Sequence, residues 1–402
     1  MGKEMKGYFV GPMPVGEFLQ EFLPTSQIPD YDPSSFTSAF AAGVFNDTVS
    51  INAIKPFAPQ LSFVDTHNHP DTKNCSKLKS MVFNIKPDVC VYPDGREPSS
   101  RNCDVSATEI IIEFKWSYSH DAFCDTGVDS VISQMDKGMD TLGQITNYTA
   151  AQLGTQFRTH TFSVLIMHDR ARIIRWDREG AIVTSTIDYN NQSDLADFFH
   201  HYARASPEMR GVDTSVMLAG DEEADLARSQ LNIPNTTCMF KVDVPNVKGS
   251  GLLTLVFPQP VTKSHSPVGR WTCTCPAFDL VNKKLMMFKD SWRVSLPNVL
   301  PEGETYKLLM LHKVSHIPNC IAYHDVPPSI AQQSTQTAKF GSTKWARPHL
   351  PLTPHTLHRL VLDIVGKKLT DFESSCQAFM SFCGRLLCTR RPTWTSFTGH
   401  HS

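Results

Sequence analysis

Apolar positions alternate with a period of two in several short segments between residues 80 and 190, and this pattern predicts the strands of a β-sheet. Residues 141–157 and 193–204 instead have apolar positions at helical spacing. The sequence therefore predicts one α/β domain over residues 61–205, a mixed sheet flanked by helices. Its strand segments are MVFNIKPDVCVY (81–92), TEIIIEFKW (108–116), TFSVLIM (161–167), RIIRW (172–176) and AIVTSTIDY (181–189).

The rest of the chain divides by composition. Residues 1–60 predict a helical and irregular segment, with helices near 13–23 and Ser34–Val44, and the acidic residues 206–236 predict a connector. A second β-rich region follows over residues 237–372, with strand candidates KVDVP, LLTLVFP and LMMFKDSWR. Residues 327–356, rich in Pro, Thr, Gln and Ser, predict a long loop.

Bulk composition narrows the class of protein. The 402 residues are 41% hydrophobic and 19% charged, which is enough apolar surface for packed cores. The net charge of -2 disfavours a dominant non-specific nucleic-acid surface. Eleven irregularly spaced cysteines are typical of reduced thiols, so we expect an intracellular protein of the cytoplasm or nucleus. The sequence contains no run of 18 apolar residues, so it predicts no membrane span.

The strand at 108–116 carries an acid and a base on one face. Ile110, Ile112, Phe114 and Trp116 alternate on the other face, so Glu113 and Lys115 lie together. Asp88 precedes on the neighbouring predicted strand, and two carboxylates there predict a Mg²⁺ site. Gln144 and Tyr148, one helical turn apart, are expected beside it.

This order of Asp88, Glu113-x-Lys115 and Gln144 resembles the PD-(D/E)xK nuclease superfamily over roughly residues 80–190. The resemblance implies a metal held by Asp88 and Glu113, with Lys115 positioning a metal-bound water and DNA as substrate. The alternative is a structural ion pair on an inherited fold.

A second candidate site lies in the C-terminal third. LMMFKDSWR places Lys289 on a strand, and PEGETYKLLML predicts a helix that begins at Pro301 and carries Glu304. A strand lysine followed by a helix glutamate is typical of protein kinases, in which the lysine contacts the ATP phosphates and the glutamate holds it. An ordinary salt bridge is the alternative reading.

The segments KPDVCVYPDG, TEIIIEFKW, QITNYTAAQLGTQFRTHTFSVLI, MFKDSWR, EGETYKLL, SHIPNCIAYHDV and LVLDIVGKKLTDF together resemble the fungal-type protein kinase family of basidiomycetes. The resemblance implies a kinase N-lobe over residues 237–372, an antiparallel sheet plus one helix, with ATP and Mg²⁺ as cofactors and Ser/Thr-type phosphotransfer to a protein substrate. Lys289 would be the phosphate lysine and Glu304 its partner. Gly269 would lie in the phosphate loop, and Asp363, Val365 and Gly366 at the adenine hinge.

The sequence departs from that pattern in two places. Trp271 stands where the family's loop would have glycine, and the 402 residues contain no His-Arg-Asp and no Asp-Phe-Gly. Residues 373–402 lose hydrophobic periodicity after Phe382 and read as an aberrant tail, so we expect a kinase region without its C-lobe, inactive in phosphotransfer and dependent on a partner for solubility. Three classes stay open: a truncated kinase-family protein, a metal-dependent nuclease, and a non-catalytic interaction module.

Overall fold

The computed structural model describes residues 2–25, 54–74, 84–246, 251–259, 266–327 and 333–366. Two seven-stranded sheets and a small number of helices make up this part of the chain, which confirms an α+β organisation. The predicted helix at Ser34–Val44, the first residues of the segment 81–92 and the tail 373–402 fall outside the described residues.

The first sheet, called the N-terminal sheet, is mixed. It consists of β1 (Phe9–Met13), β2 (Leu61–Asp65), β3 (Val89–Pro93), β4 (Ile110–Lys115), β5 (His160–Met167), β6 (Ala171–Asp177) and β7 (Ala181–Thr184). Their order across the sheet is β1-β7-β6-β5-β4-β3-β2. The pairs β1–β7 and β4–β5 are parallel and the other neighbours are antiparallel. A parallel pair needs a long crossover, and a helix supplies it between β4 and β5.

Helices cover both faces of the N-terminal sheet. They are α1 (Gly2–Met5), α2 (Val15–Phe22), α3 (Asp136–Thr155) and α4 (Asp194–Arg204). The apolar residues of α2 and α4 share a core with Ile110 and Ile112 of β4. Tyr148 and Ala151 of α3 pack instead with Ile111, on the opposite face of the same strand. The predicted division of β4 into two faces is therefore confirmed, although Trp116 follows the strand and is 64% exposed.

The second sheet, called the C-terminal sheet, is antiparallel throughout. Its order is β13-β14-β12-β11-β10-β9-β8. The strands are β8 (Val216–Leu218), β9 (Met239–Pro245), β10 (Leu252–Pro258), β11 (Thr272–Asp279), β12 (Lys284–Val294), β13 (Cys320–Asp325) and β14 (His355–Leu362). Two helices accompany them, α5 (Asp221–Leu231) after β8 and α6 (Glu302–Leu311) between β12 and β13.

The segments that looked irregular contribute to both sheets. Residues 206–236 are not a bare connector, because they form β8 and α5, and α5 packs against β10 and β11. The first 60 residues supply β1, which pairs with β7 some 170 positions later. Residues 333–354, in the predicted loop, run across the N-terminal sheet, and Thr337 donates from both its backbone N–H and its hydroxyl to the Asp177 carboxylate.

Buried aromatic and charged groups join the two sheets. Phe157, just after α3, packs edge-on against Phe240 and Phe257 of the C-terminal sheet, with ring centroids 5.1 and 5.7 Å away. Arg178, which is 1% exposed, donates to the carbonyls of Leu153 and Pro267. These contacts hold the segment that leads into β11 against the N-terminal sheet. Among the helices in the described part of the chain, none has an apolar stretch long enough to cross a bilayer.

Candidate functional sites on the two sheets

The acid and the base of β4 meet a helix, as the sequence predicts. Lys115 Nζ lies 2.5 Å from Glu113 Oε1 and 2.9 Å from Gln144 Oε1. Gln144 Nε2 in turn donates to Tyr148 Oη at 2.9 Å. The four side chains form one connected row between β4 and α3, because residues four apart on a helix share a face.

Asp88, the residue before β3, extends this row of side chains. Its Oδ2 accepts the backbone N–H of Phe114 at 2.8 Å, so its carboxylate lies beside the Glu113 carboxylate. Burial raises the pKa of Asp88, although Phe114 and Lys115 oppose the shift. Burial and then the Asp88 charge raise the pKa of Glu113 to about 8. Desolvation therefore outweighs the Lys115 ammonium at this acid pair.

One oxygen of the pair lacks a partner. Glu113 is 1% exposed and its Oε2 accepts no hydrogen bond from the described residues. His67, which is paired with Asp65 through Nδ1 at 2.5 Å, lies close enough to Asp88 to lower the pKa of that carboxyl. Within the described residues, no three His, Cys, Asp or Glu side chains come together as a metal-binding group. The structure thus shows two adjacent carboxylates with an open oxygen.

On the C-terminal sheet, Lys289 points to the helix that follows β12, but to a different glutamate from the one expected. Its Nζ lies 2.6 Å from Glu302 Oε2, at the first residue of α6. Glu304 is turned away and accepts from Tyr323 Oη at 2.7 Å and from Lys307 Nζ at 3.0 Å. The structure corrects the expected pairing of Lys289 with Glu304.

The residues expected around ATP are partly engaged elsewhere. Gly269 adopts φ +95°, but its N–H donates to the carbonyl of Arg178 at 2.8 Å, so this amide does not face a phosphate. Trp271 is buried beside Arg178, and the guanidinium carbon of Arg178 lies 5.3 Å from the centre of the Trp271 ring. The predicted phosphate loop is thus held against the N-terminal sheet.

The predicted hinge directly follows β14. Asp363 accepts from the backbone and side-chain nitrogens of Asn319 at 2.8 and 2.7 Å and so anchors the loop before β13. Val365 and Gly366 continue without regular structure, and no contact of theirs identifies an adenine site. These three residues lie together after the strand, with the Asp363 carboxylate already bonded.

The topology around Lys289 limits what the lysine can do. The strands β10, β11 and β12 form an antiparallel meander, and Lys289 lies on the third of these strands. The helix α6 comes next in the chain and packs on β13. A lysine on the third strand paired with a glutamate on the following helix is the phosphate-positioning arrangement of protein kinases.

Comparison with known families identifies the family of this chain. The sequence matches the family model described as fungal protein kinase over residues 115–386, well over half of the chain. The chain belongs to the fungal protein kinase family. The match begins at the last residue of β4, so this family's region includes α3, the strands β5, β6 and β7 of the N-terminal sheet, and the C-terminal sheet. No curated protein matches the chain, and no solved structure does.

Family membership confirms the resemblance to the fungal-type protein kinase family and supports a kinase-like function. Sequence reasoning missed Glu302, although it stands in the same segment as Glu304. It also missed Arg270, Arg293 and His358, which line the space beside Glu302. Little in the sequence indicated these three residues, because isolated basic residues are usually exposed to solvent.

Proposed function

We propose that the C-terminal sheet is a kinase-type N-lobe that binds the phosphates of ATP through Lys289. The observation that carries this proposal is the 2.6 Å ion pair between Lys289 and Glu302, which links the third strand of the meander to α6. Lys289 is part-buried, so the pair holds the ammonium at a defined place on the open face of the sheet. A kinase positions its phosphate lysine in this way.

The residues fit the phosphates better than they fit the metal. Lys289 supplies a point charge for a phosphoryl oxygen, whereas the described residues offer no group of three metal-ligating side chains near it. When bound, Mg²⁺ would neutralise part of the charge of the phosphates that Lys289 contacts. No His-Arg-Asp or Asp-Phe-Gly occurs in the sequence, so we assign nucleotide binding to these residues and no step of phosphoryl transfer.

Removing the Lys289 ammonium should weaken nucleotide binding. We expect Lys289→Met to lower the affinity for Mg·ATP about tenfold or more, because a charge-assisted contact to phosphate is lost. Isothermal titration calorimetry of the full chain measures this. Lys284→Met is the matched control, since Lys284 is exposed on the same strand and should leave the affinity unchanged. Equal affinities for both variants, or no binding by the wild type, would reject the assignment.

A second function is favoured by the open oxygen of Glu113. We propose that Asp88 and Glu113 hold a divalent cation, with Lys115 beside it, as in a metal-dependent nuclease of the PD-(D/E)xK type. Two adjacent buried carboxylates with raised pKa values are the arrangement that a cation would relieve. Nucleic acid is the partner only under this second proposal.

The cation site predicts a pH-dependent effect of Mg²⁺. Folded Glu113 keeps its proton up to about pH 8, whereas the unfolded carboxyl loses it near pH 4.5. Stability without metal therefore falls as the pH rises from about 5 to 8. Because Mg²⁺ must displace that proton, it should raise the unfolding temperature more at pH 9 than at pH 6, and Glu113→Gln should abolish the effect.

The controls separate cation binding from nuclease chemistry. Glu97→Gln, at an exposed glutamate, should retain the full response to Mg²⁺. Incubation of linear DNA with Mg²⁺ or Mn²⁺ tests cleavage, and Lys115→Ala should abolish any cleavage seen with the wild type. Identical melting curves with and without Mg²⁺ at pH 9 would rule out the cation site. Equal cleavage by wild type and Lys115→Ala would rule out the nuclease.

A further inference from the structure

A cavity of about 350 Å³ lies between the open face of the C-terminal sheet and the first turn of α6. Glu302 belongs both to the wall of this cavity and to the ion pair with Lys289, so the cavity is next to the proposed nucleotide lysine, although Lys289 is not among its lining residues. Its polar lining consists of Arg270, Ser291, Arg293, Glu302, Thr305 and His358.

His358 is the most informative residue of this wall. It lies between Ser291 of β12 and Asp325 of β13 in one row across three strands. Its Nδ1 is 2.9 Å from Asp325 Oδ1, and its Nε2 has no hydrogen-bond partner among the described residues. The residue is 1% exposed. A buried ring nitrogen without a partner costs stability unless a ligand or water satisfies it, and the cavity is the space that this wall residue faces.

The charges around the cavity are unequal. Arg293 donates from Nε and Nη2 to the two carboxylate oxygens of Asp325, at 2.7 and 2.5 Å. Lys289 is paired with Glu302. Arg270 is exposed and forms no ion pair within the described residues. These three cations and two carboxylates give the cavity a net charge of +1 when the His358 ring is neutral. The net charge becomes +2 when the ring is protonated.

The helix adds to this field. No side chain caps α6, which begins after Pro301, so its first backbone N–H groups have no side-chain acceptor. The N-terminus of a ten-residue helix carries a partial positive charge that favours anions within its first turn. Thr305, in that turn, lines the same cavity. The helix end and the unpartnered Nε2 of His358 are independent features of one wall.

We propose that this cavity binds a phosphate or phosphate-monoester dianion through Arg270, the protonated imidazole of His358 and the N-terminus of α6. A dianion balances the two positive charges that the cavity offers when His358 is protonated, whereas a carboxylate balances one. The proposal stands apart from the nucleotide proposal, because none of the three binding groups contacts Lys289. A phosphate held here would touch the same helix turn that positions Glu302.

Binding must be coupled to a proton. The Nδ1–H of His358 donates to Asp325, so Nε2 accepts in the neutral ring and can donate to an anion only after it takes up a proton. The other titratable or charged groups around the ring are Arg270, Asp290, Arg293, Glu302, Tyr323, His324, Asp325 and Arg359. The anion itself supplies the charge that stabilises the imidazolium.

The test is calorimetric titration of the full chain with inorganic phosphate and, in a second arm, with O-phosphoserine. Titration at pH 7.5 in two buffers of different ionisation enthalpy measures proton uptake. We expect uptake of up to one proton per anion by the wild type. Arg270→Gln should weaken binding about tenfold, and Arg96→Gln, at an exposed arginine on the other sheet, should leave it unchanged. Tighter binding of O-phosphoserine identifies a phosphorylated side chain as the source, and tighter binding of phosphate identifies the free ion.

A second variant isolates the ring nitrogen. His358→Asn keeps a side-chain N–H near Asp325 and removes Nε2, so it should abolish proton uptake, while His312→Asn at the exposed end of α6 should not. His358→Asn should also change the affinity for Mg·ATP by less than about twofold, which distinguishes this cavity from the nucleotide site. Absence of phosphate binding by the wild type, equal binding by Arg270→Gln and Arg96→Gln, or full proton uptake by His358→Asn would each overturn the proposal.

Discussion

Replacing Arg359 by Met is expected to lower the free energy of unfolding by about 3–5 kcal/mol, the typical cost of breaking a buried ion pair. Arg359 Nη2 lies 2.8 Å from Asp213 Oδ2, and its Nε lies 3.7 Å from Asp290 Oδ2. All three side chains are 1% exposed. The substitution leaves two carboxylates buried without a cation. Urea unfolding followed by circular dichroism at pH 8 measures the loss.

The pH dependence of that loss identifies its cause. Burial already raises the pKa of Asp290 to about 6, and removal of Arg359 raises it further. Asp290 is therefore mostly protonated at pH 5 in both the wild type and the variant, so the stability loss should be smaller there than at pH 8. Arg96→Met is the control and should change stability by less than about 0.5 kcal/mol. A loss below about 1 kcal/mol at pH 8 would contradict the electrostatic account of this contact.

Glu302 and Glu304 should differ strongly in their effect on nucleotide binding. We expect Glu302→Gln to lower the affinity for Mg·ATP about tenfold, because Lys289 loses the carboxylate that holds its ammonium. Glu304→Gln should leave that affinity unchanged, because Glu304 contacts Tyr323 and Lys307 instead. The two variants have the same chemical change on the same helix. Calorimetric titration with Mg·ATP measures both.

The sequence predicted the strands β3 to β7 of the N-terminal sheet and its acid pair because local periodicity determines both. Glu113 and Lys115 share a strand face by two-residue alternation, and Gln144 and Tyr148 share a helix face, so each pair was fixed before the fold was known. The structure needed only to bring one strand and one helix together. Asp88 followed because β3 and β4 are antiparallel neighbours.

The choice between Glu302 and Glu304 could not be made from the sequence. Side chains two residues apart on a helix point in nearly opposite directions, so the partner of Lys289 depends on how α6 is rotated against the sheet. That rotation is determined by the packing of α6 on β13, where the Tyr323 hydroxyl donates a hydrogen bond to Glu304. Both candidates lie within the first three residues of α6, where too little of the helix precedes them for its periodicity to reveal which one faces the sheet.

Long-range pairing explains the other differences. The pairing of β1 with β7 joins residues far apart in the chain, and β8 is only three residues long, so neither produces a local pattern. The engagement of Gly269 by Arg178 likewise depends on contact between the two sheets. The family resemblance implied a phosphate loop at Gly269, and only the assembled fold shows which group its N–H meets.

The central claim is that Lys289, held by Glu302, is the phosphate-binding lysine of this kinase-family chain. Its most direct test is side-by-side calorimetric titration of wild type, Glu302→Gln and Glu304→Gln with Mg·ATP. The account predicts binding by the wild type and Glu304→Gln with equal affinity, and about tenfold weaker binding by Glu302→Gln. Weaker binding by Glu304→Gln with Glu302→Gln unchanged would contradict it, as would the absence of binding by all three proteins.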